Sequence, residues 1–155
     1  LGNHMDNFLP SYFSLLGEHA ARYLPRDQFM VELMTCTEAM IRNIDPAQSN
    51  RDVFWHHFEQ RTGLDATELE AFFDQFYRNQ VNQLQSKTEK RPFATKLIQQ
   101  CYEAGFSVVI ATNPLFPRVA IEARLAWAGL PVDNHDFALV TAYENMHAAK
   151  PQPAY

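Results

Sequence analysis

The sequence has little of what a nucleic-acid-binding or membrane protein needs. It carries 13 lysines and arginines against 18 aspartates and glutamates, and no stretch gathers the basic residues onto one face. With a net charge of -5 it attracts polyanions weakly, so we expect no nucleic-acid partner. The longest strongly apolar run, residues 106–111, is far shorter than the roughly 20 residues of a membrane-spanning helix, so we expect no membrane association.

No secretory leader is visible in these 155 residues. No charged segment followed by an apolar run stands at the N-terminus, which favours a cytoplasmic protein. The chain begins at Leu1, and we expect its natural start to lie upstream.

Cysteine is scarce, with one residue at Cys36 and one at Cys101. Both stand among apolar residues at helical spacing, which predicts two buried, reduced thiols rather than a disulfide or a nucleophile. The absence of a CxxC or CxxH spacing removes support for a structural zinc site.

Apolar residues are plentiful, and their spacing divides the chain into two halves. Hydrophobic residues make up 46% of the chain and aromatic residues 13%, which argues against disorder. The 155 residues are enough for one ordinary domain, or for one core with a small insertion. Up to about residue 84, apolar residues recur every three or four positions, and this spacing predicts consecutive helices. The second helix is expected to begin at Pro25 and end at residues 45–46, with an apolar stripe of Phe29, Leu33, Met34, Thr37, Met40, Ile41 and Ile44.

Capping residues mark the next two predicted helices. Asn50 is expected to cap the third, which Gly63 ends. Asp65 and Glu68 are expected to form a capping box at the start of the fourth. The fourth helix carries an aromatic-rich stripe that predicts the core of a small bundle: Leu69, Phe72, Phe73, Phe76, Tyr77, Val81 and Leu84.

After a polar segment at residues 85–91, which reads as a linker, the periodicity changes. Pro92 is expected to open a helix that Gly105 ends, and residues 106–111 follow as a strand buried on both faces. A helix from Pro117 to residue 128, ended by Gly129, leads to a second buried strand at residues 137–141. Alternating helices and strands predict an α/β fold with a parallel sheet.

Two parallel strands cannot bury both faces of a sheet, so this sheet needs further strands. We expect them before Leu1, after Tyr155 or in another molecule.

Polar side chains stand where the two predicted strands end. Thr112 and Asn113 follow the first, and Lys150 follows the second. Ligands of open α/β sheets bind beyond the carboxyl ends of the strands, where a hydroxyl, loop amides and an ammonium group can hold a phosphate. Arg118, at the start of a helix, is a weaker candidate for binding a substrate anion. Glu144, Asn145 and His147 are read as loop residues that could reach the same opening.

Two of these segments resemble motifs of the haloacid-dehalogenase-like hydrolase superfamily. Residues 108–113 (VVIATN) resemble its second motif, a hydrophobic strand ending in Ser or Thr, and residues 150–153 (KPQP) resemble its third. The resemblance implies a Rossmann-like parallel-sheet core with an inserted α-helical cap. The implied division is a flap remnant of the core at 1–5, the cap at 6–86 and a partial core at 87–155.

The resemblance also implies an activity, that of a magnesium-dependent phosphatase acting on small phosphorylated metabolites through an aspartyl-phosphate. Thr112 would hydrogen-bond the phosphoryl oxygens, Lys150 would stabilise the nucleophile and the transferring group, and Asn113 would shape the loop. The family's DxDx[TV] pattern and its acidic fourth motif do not occur in these 155 residues. The Mg²⁺ ligands are therefore expected outside this chain, and the polypeptide alone is expected to be inactive.

Two alternatives stay open. A non-catalytic binding or scaffold protein could keep the same fold without the nucleophile. A haloacid dehalogenase, which usually dispenses with Mg²⁺, is less favoured. The sequence leaves the substrate and the oligomeric state undetermined.

Overall fold

Four consecutive helices make up the first half of the chain. The computed structural model describes residues 1–3 and 5–155; His4, within the predicted flap remnant at 1–5, lies outside the described residues. The helices are α1 (Met5–Ala20), α2 (Arg26–Arg42), α3 (Asn50–Thr62) and α4 (Ala66–Asn79), and a 3₁₀ helix follows over Gln80–Lys87. In the part of the chain described, no helix combines the length and apolarity needed to cross a membrane.

The start of α3 differs from the prediction. Ser49, not Asn50, is the N-cap: its hydroxyl accepts from the backbone N–H of Asp52, and the Asp52 carboxylate accepts from the backbone N–H of Ser49. The end agrees with the prediction, because Gly63 adopts a left-handed conformation with φ 72°.

Half of the predicted capping box at α4 is present. The Asp65 carboxylate accepts the backbone N–H of Glu68 at 2.8 Å, as expected. The Glu68 carboxylate instead accepts the hydroxyl of Tyr23 at 2.7 Å. The α-helix also ends earlier than predicted, so the buried residues Val81 and Leu84 belong to the 3₁₀ helix.

An aromatic core joins the four helices. Phe58 and Phe76 are among its most completely buried side chains, and Trp127 and Tyr143 from the second half pack into the same cluster. The predicted stripe of α2 is wrong at Met34 and Ile44, which are 54% and 58% exposed. Met34 lies at the edge of the packed face of α2, partly open to solvent, and Ile44 lies beyond the end of α2 at Arg42.

The second half has the predicted alternation of helices and strands. Its elements are α5 (Pro92–Glu103), β3 (Val108–Ile110), α6 (Arg118–Trp127), a 3₁₀ helix (Val132–Asn134) and β4 (Phe137–Val140). Pro92 is the first residue of α5, and Pro117 is the N-cap of α6, as their fixed φ favours.

The sheet is parallel, as predicted, but its strands are less buried than predicted. β3 pairs with β4, and Ile121 of α6 packs on one face with Val140 and Ala142. Val109 and Leu139 are 49% and 40% exposed, so the prediction of strands buried on both faces is wrong. Other exposed apolar side chains in this half of the chain are Phe93, Leu97 and Phe106. The need for further strands stays a prediction.

The predicted linker contains a short strand. β1 (Gly2–Asn3) pairs antiparallel with β2 (Thr88–Glu89), so the start of the chain lies against the junction between the two halves. A pair of two residues on each side has too little pattern to be predicted from sequence.

Both cysteines are free thiols, as predicted. Cys36 is fully buried in the core, and this burial raises the pKa of its thiol to about 11. Cys101 is only half-buried, so the prediction of burial holds for Cys36 alone.

A hydrogen-bonded pair of core tyrosines, Tyr12 buried and Tyr77 partly buried, should make the fold sensitive to alkali. The hydroxyls of Tyr12 and Tyr77 lie 2.8 Å apart, and burial raises the pKa of Tyr77 to about 12 and that of Tyr12 well above its ordinary 10.0. Because the unfolded tyrosines ionise first, their contribution to stability is complete below about pH 10 and is lost as pH rises from there through 12. Urea unfolding at stepped pH should show a decline approaching 1.4 kcal/mol per pH unit for each tyrosine. An equally steep decline in a Tyr12→Phe, Tyr77→Phe double variant would contradict this assignment.

Candidate functional site

The candidate site lies beyond the carboxyl ends of β3 and β4. Thr141 continues the ladder by donating its backbone N–H to the Ile110 carbonyl at 3.0 Å. The backbone N–H of Thr112 donates to the Thr141 hydroxyl at 2.8 Å, and the Thr112 hydroxyl lies 2.9 Å from the Thr141 carbonyl. These bonds fix the position at which the loop leaves β3.

Lys150 lies against the same loop. Its ammonium group donates to the Ala111 carbonyl at 2.8 Å, and its backbone N–H donates to the Asn113 side-chain oxygen at 3.0 Å. The structure thus brings Thr112, Asn113 and Lys150 together, although Asn113 and Lys150 are 37 positions apart in sequence. We call these three residues the strand-end corner.

Tyr155 completes this corner. Its hydroxyl donates to the Thr112 carbonyl at 2.8 Å, and the Lys150 ammonium lies 4.9 Å from its ring centroid. An ammonium group at that distance is attracted to the face of the ring. Sequence reasoning missed Tyr155, because its place depends on turns after Lys150 that carry no periodic signal.

The corner offers donors suited to an oxyanion. An ammonium group has three N–H donors, so Lys150 keeps two beyond its bond to Ala111. Asn113 is exposed and uses its oxygen towards Lys150, which leaves its amide nitrogen as a donor. The Thr112 hydroxyl must exchange its bond to Thr141 before it can donate to a ligand.

Arg118 makes other contacts. Its backbone N–H donates to both carboxylate oxygens of Glu144, at 2.8 and 3.0 Å, and its side chain donates to Glu122 at 2.6 Å. The positive end of the α6 dipole therefore faces a carboxylate of this chain. Burial raises the pKa of Glu144, and the Arg118 N–H opposes that shift. The structure supplies no support for Arg118 as a ligand of a substrate anion.

The remaining polar candidates do not form a metal site. The amide of Asn145 bonds the backbone of Ala142 and Val140, so it holds the loop after β4. Within residues 1–3 and 5–155, no group of three His, Cys, Asp or Glu side chains could hold a metal ion. The strand-end corner supplies a hydroxyl, an amide and an ammonium group, a donor set that does not fit Mg²⁺, which prefers carboxylate oxygens.

A buried asparagine ties the helical half to this corner. The Asn50 side chain is completely buried and donates to the carbonyls of Pro114 and Ala148, at 3.1 and 3.4 Å. Its backbone N–H donates to the Met146 carbonyl at 2.8 Å. Asn50 thus holds the loops that carry Asn113 and Lys150. The sequence predicted only a helix cap at this position and not this link between two loops.

Comparison of the chain with known proteins identified no similar protein. No protein-family profile, curated protein or solved structure matches the chain. The resemblance to haloacid-dehalogenase-like hydrolases therefore rests on residues 108–113 and 150–153 and stays a prediction.

Proposed function

We propose that the strand-end corner binds the phosphoryl group of a small phosphorylated metabolite, as part of a haloacid-dehalogenase-like phosphatase. The observation that carries the proposal is the convergence of Lys150 and Asn113 at the carboxyl ends of two parallel strands. A positive charge beside hydrogen-bond donors at this edge suits an anion with several oxygens.

Each residue has a distinct part in this binding. Lys150 supplies the charge, held towards the strand ends by the Ala111 carbonyl and the Tyr155 ring. Asn113 supplies an N–H donor, and Thr112 supplies a hydroxyl that exchanges the Thr141 carbonyl for a phosphoryl oxygen.

The catalytic part of the proposal depends on groups that this sequence does not contain in the family's pattern. The nucleophilic aspartate of such enzymes stands in a DxDx[TV] motif, which does not occur in these 155 residues. The residues of the corner do not fit Mg²⁺, which prefers carboxylate oxygens. In this proposal, residues 87–155 form part of a hydrolase core, residues 6–86 form a helical cap, and the polypeptide alone binds phosphate without hydrolysing esters.

Titration with inorganic phosphate, followed by NMR of the backbone amides, tests the binding. We expect saturable shifts at Thr112, Asn113 and Lys150, and a loss of affinity of at least about tenfold in Lys150→Gln, since a hydrogen bond to a charged group contributes about 1.5–3 kcal/mol. Lys96→Gln, at an exposed position of α5, is the matched control and should bind as the wild type does. We expect no hydrolysis of p-nitrophenyl phosphate above background.

Two results would overturn parts of this proposal separately. If Lys150→Gln bound phosphate as tightly as the wild type does, the assignment of the binding site to the strand-end corner would be wrong. Hydrolysis by the purified chain that Lys150→Gln abolishes would keep the site but contradict the predicted inactivity.

A non-catalytic phosphate-binding protein is the second candidate. The feature that separates it from the phosphatase is whether an Asp-x-Asp motif precedes Leu1 in the full protein. Addition of a peptide or chain that carries such a motif distinguishes the two, because ester hydrolysis would then appear only for the phosphatase.

A further inference from the structure

An apolar cavity lies between the helical half and the loop that follows the strand-end corner. Its volume is about 240 Å³. All four helices α1–α4 contribute to its wall, and Phe116 and Tyr143 close it from the second half. Among the lining residues, Met34 is 54% exposed, which places an opening to solvent beside α2.

The wall of this cavity is aromatic and held in place by its own contacts. The rings of Phe29 and Phe73 stack with centroids 5.4 Å apart, and the edge of one ring meets the face of the other between Tyr12 and Phe116, at 5.8 Å. Such contacts fix ring orientations, so the cavity is formed before any ligand enters.

The polar groups around the cavity already have partners. The hydroxyls of Tyr12 and Tyr77 bond each other, and the Tyr143 hydroxyl accepts from the Trp55 indole and donates to Glu70. A ligand therefore meets few unpaired donors or acceptors, and most of its contact is with rings and aliphatic carbons.

The charges disfavour an anionic ligand. Three carboxylates lie in the lining: Glu70, Asp74 and Glu144. Each is compensated within the chain, Glu70 by Arg51, Asp74 by Arg78 and Glu144 by the backbone N–H of Arg118. No Lys, Arg or His is found among the described residues that line the cavity, so a phosphate or carboxylate would enter without a counter-charge.

We propose that this cavity is a binding site for a small, uncharged aromatic molecule. The size agrees with the chemistry, because a dry apolar cavity of about 150 Å³ accepts benzene and this one is large enough for a fused two-ring molecule. The inference does not depend on phosphate binding at the strand-end corner, since it rests on different residues.

Indole is a suitable probe, and the two tryptophans of the chain provide an internal comparison. The side chain of Trp55 lines the cavity, whereas Trp127 lies elsewhere and donates to Asn82. Titration of isotope-labelled protein with unlabelled indole should shift the Trp55 indole N–H signal saturably and leave the Trp127 signal in place. Equal shifts of both signals, or no saturation up to the solubility limit of indole, would overturn the proposal.

A pair of substitutions on α2 tests the location. Leu33→Trp adds bulk at the cavity wall and should weaken indole binding at least tenfold, whereas Val31→Trp, at a position 60% exposed on the same helix, should bind as the wild type does. Undiminished binding in Leu33→Trp would contradict the assignment.

If Leu33→Trp fails to fold, intermolecular NOEs between indole and the wild-type protein locate the binding site instead. In the wild type, indole protons should show NOEs to the methyl groups of Leu33 and Leu115, which both line the cavity. NOEs to Leu97 and Val109 alone would place indole on exposed apolar side chains outside the cavity and overturn the proposal.

Discussion

Replacing Phe76 with alanine should destabilise the protein by about 3–5 kcal/mol, the usual cost of removing a fully buried phenyl ring. The Phe76 side chain is 0% exposed, and its ring centroid lies 6.3 Å from that of Tyr12, 5.3 Å from His19 and 5.2 Å from Tyr77. The loss is a large fraction of a stability that is typically about 5–15 kcal/mol. Urea denaturation followed by circular dichroism measures it.

Phe93→Ala is the matched control for this prediction. Phe93 is 79% exposed on α5, so its removal should change the free energy of unfolding by no more than about 0.5 kcal/mol. A loss below about 1 kcal/mol in Phe76→Ala would contradict the assigned core. A large loss in Phe93→Ala would show that the apolar face of α5 is covered in solution.

Replacing Asn50 with alanine should cost about 3 kcal/mol, although the residue is neither apolar nor part of the strand-end corner. The substitution leaves the buried carbonyls of Pro114 and Ala148 without this donor, and it removes one of the two acceptors of the Asn43 amide, which keeps the Gln48 carbonyl. Each buried polar group left unpaired costs about 1–3 kcal/mol. Urea denaturation again gives the change in stability.

The same variant should disturb the candidate site, because Asn50 holds the two loops that reach Asn113 and Lys150. Amide signals of both residues should shift in Asn50→Ala and stay in place in Gln60→Ala, an exposed position on the same helix. A cost no larger than that of Gln60→Ala, with both signals unmoved, would show that the buried amide does not join the two halves.

Local signals predicted most of the helix boundaries. The glycines at residues 63, 105 and 129 have φ of 72°, 79° and 79°, a conformation that other residues rarely adopt. In each case the glycine alone was enough to predict where the preceding helix ends. Pro92 and Pro117 likewise mark helix starts through their fixed φ.

Features that depend on distant residues were predicted less well. The apolar run at 106–111 indicated a strand buried on both faces, but burial depends on what packs above each face, and Val109 is exposed. Asn50 satisfied the local rule for a helix cap while its side chain bonds residues 64 and 98 positions away. Local chemistry cannot reveal such a partner.

In the candidate site too, some features follow from local sequence and others depend on distant residues. The position of Thr112 and Lys150 at strand ends follows from the alternation of elements, because parallel strands end at one edge. The contacts of Tyr155 with both residues, and the bonds from the Arg118 backbone N–H to Glu144, depend on loop conformations that the sequence pattern does not specify.

The most direct test of phosphoryl binding is a crystal structure of the chain soaked with tungstate, a tetrahedral oxyanion whose anomalous scattering locates it without ambiguity. We predict an anion within hydrogen-bond distance of the Lys150 ammonium and the Asn113 amide nitrogen, with the Thr112 hydroxyl turned from Thr141 towards it. An empty strand-end corner, with tungstate bound elsewhere on the chain, would contradict the proposed function.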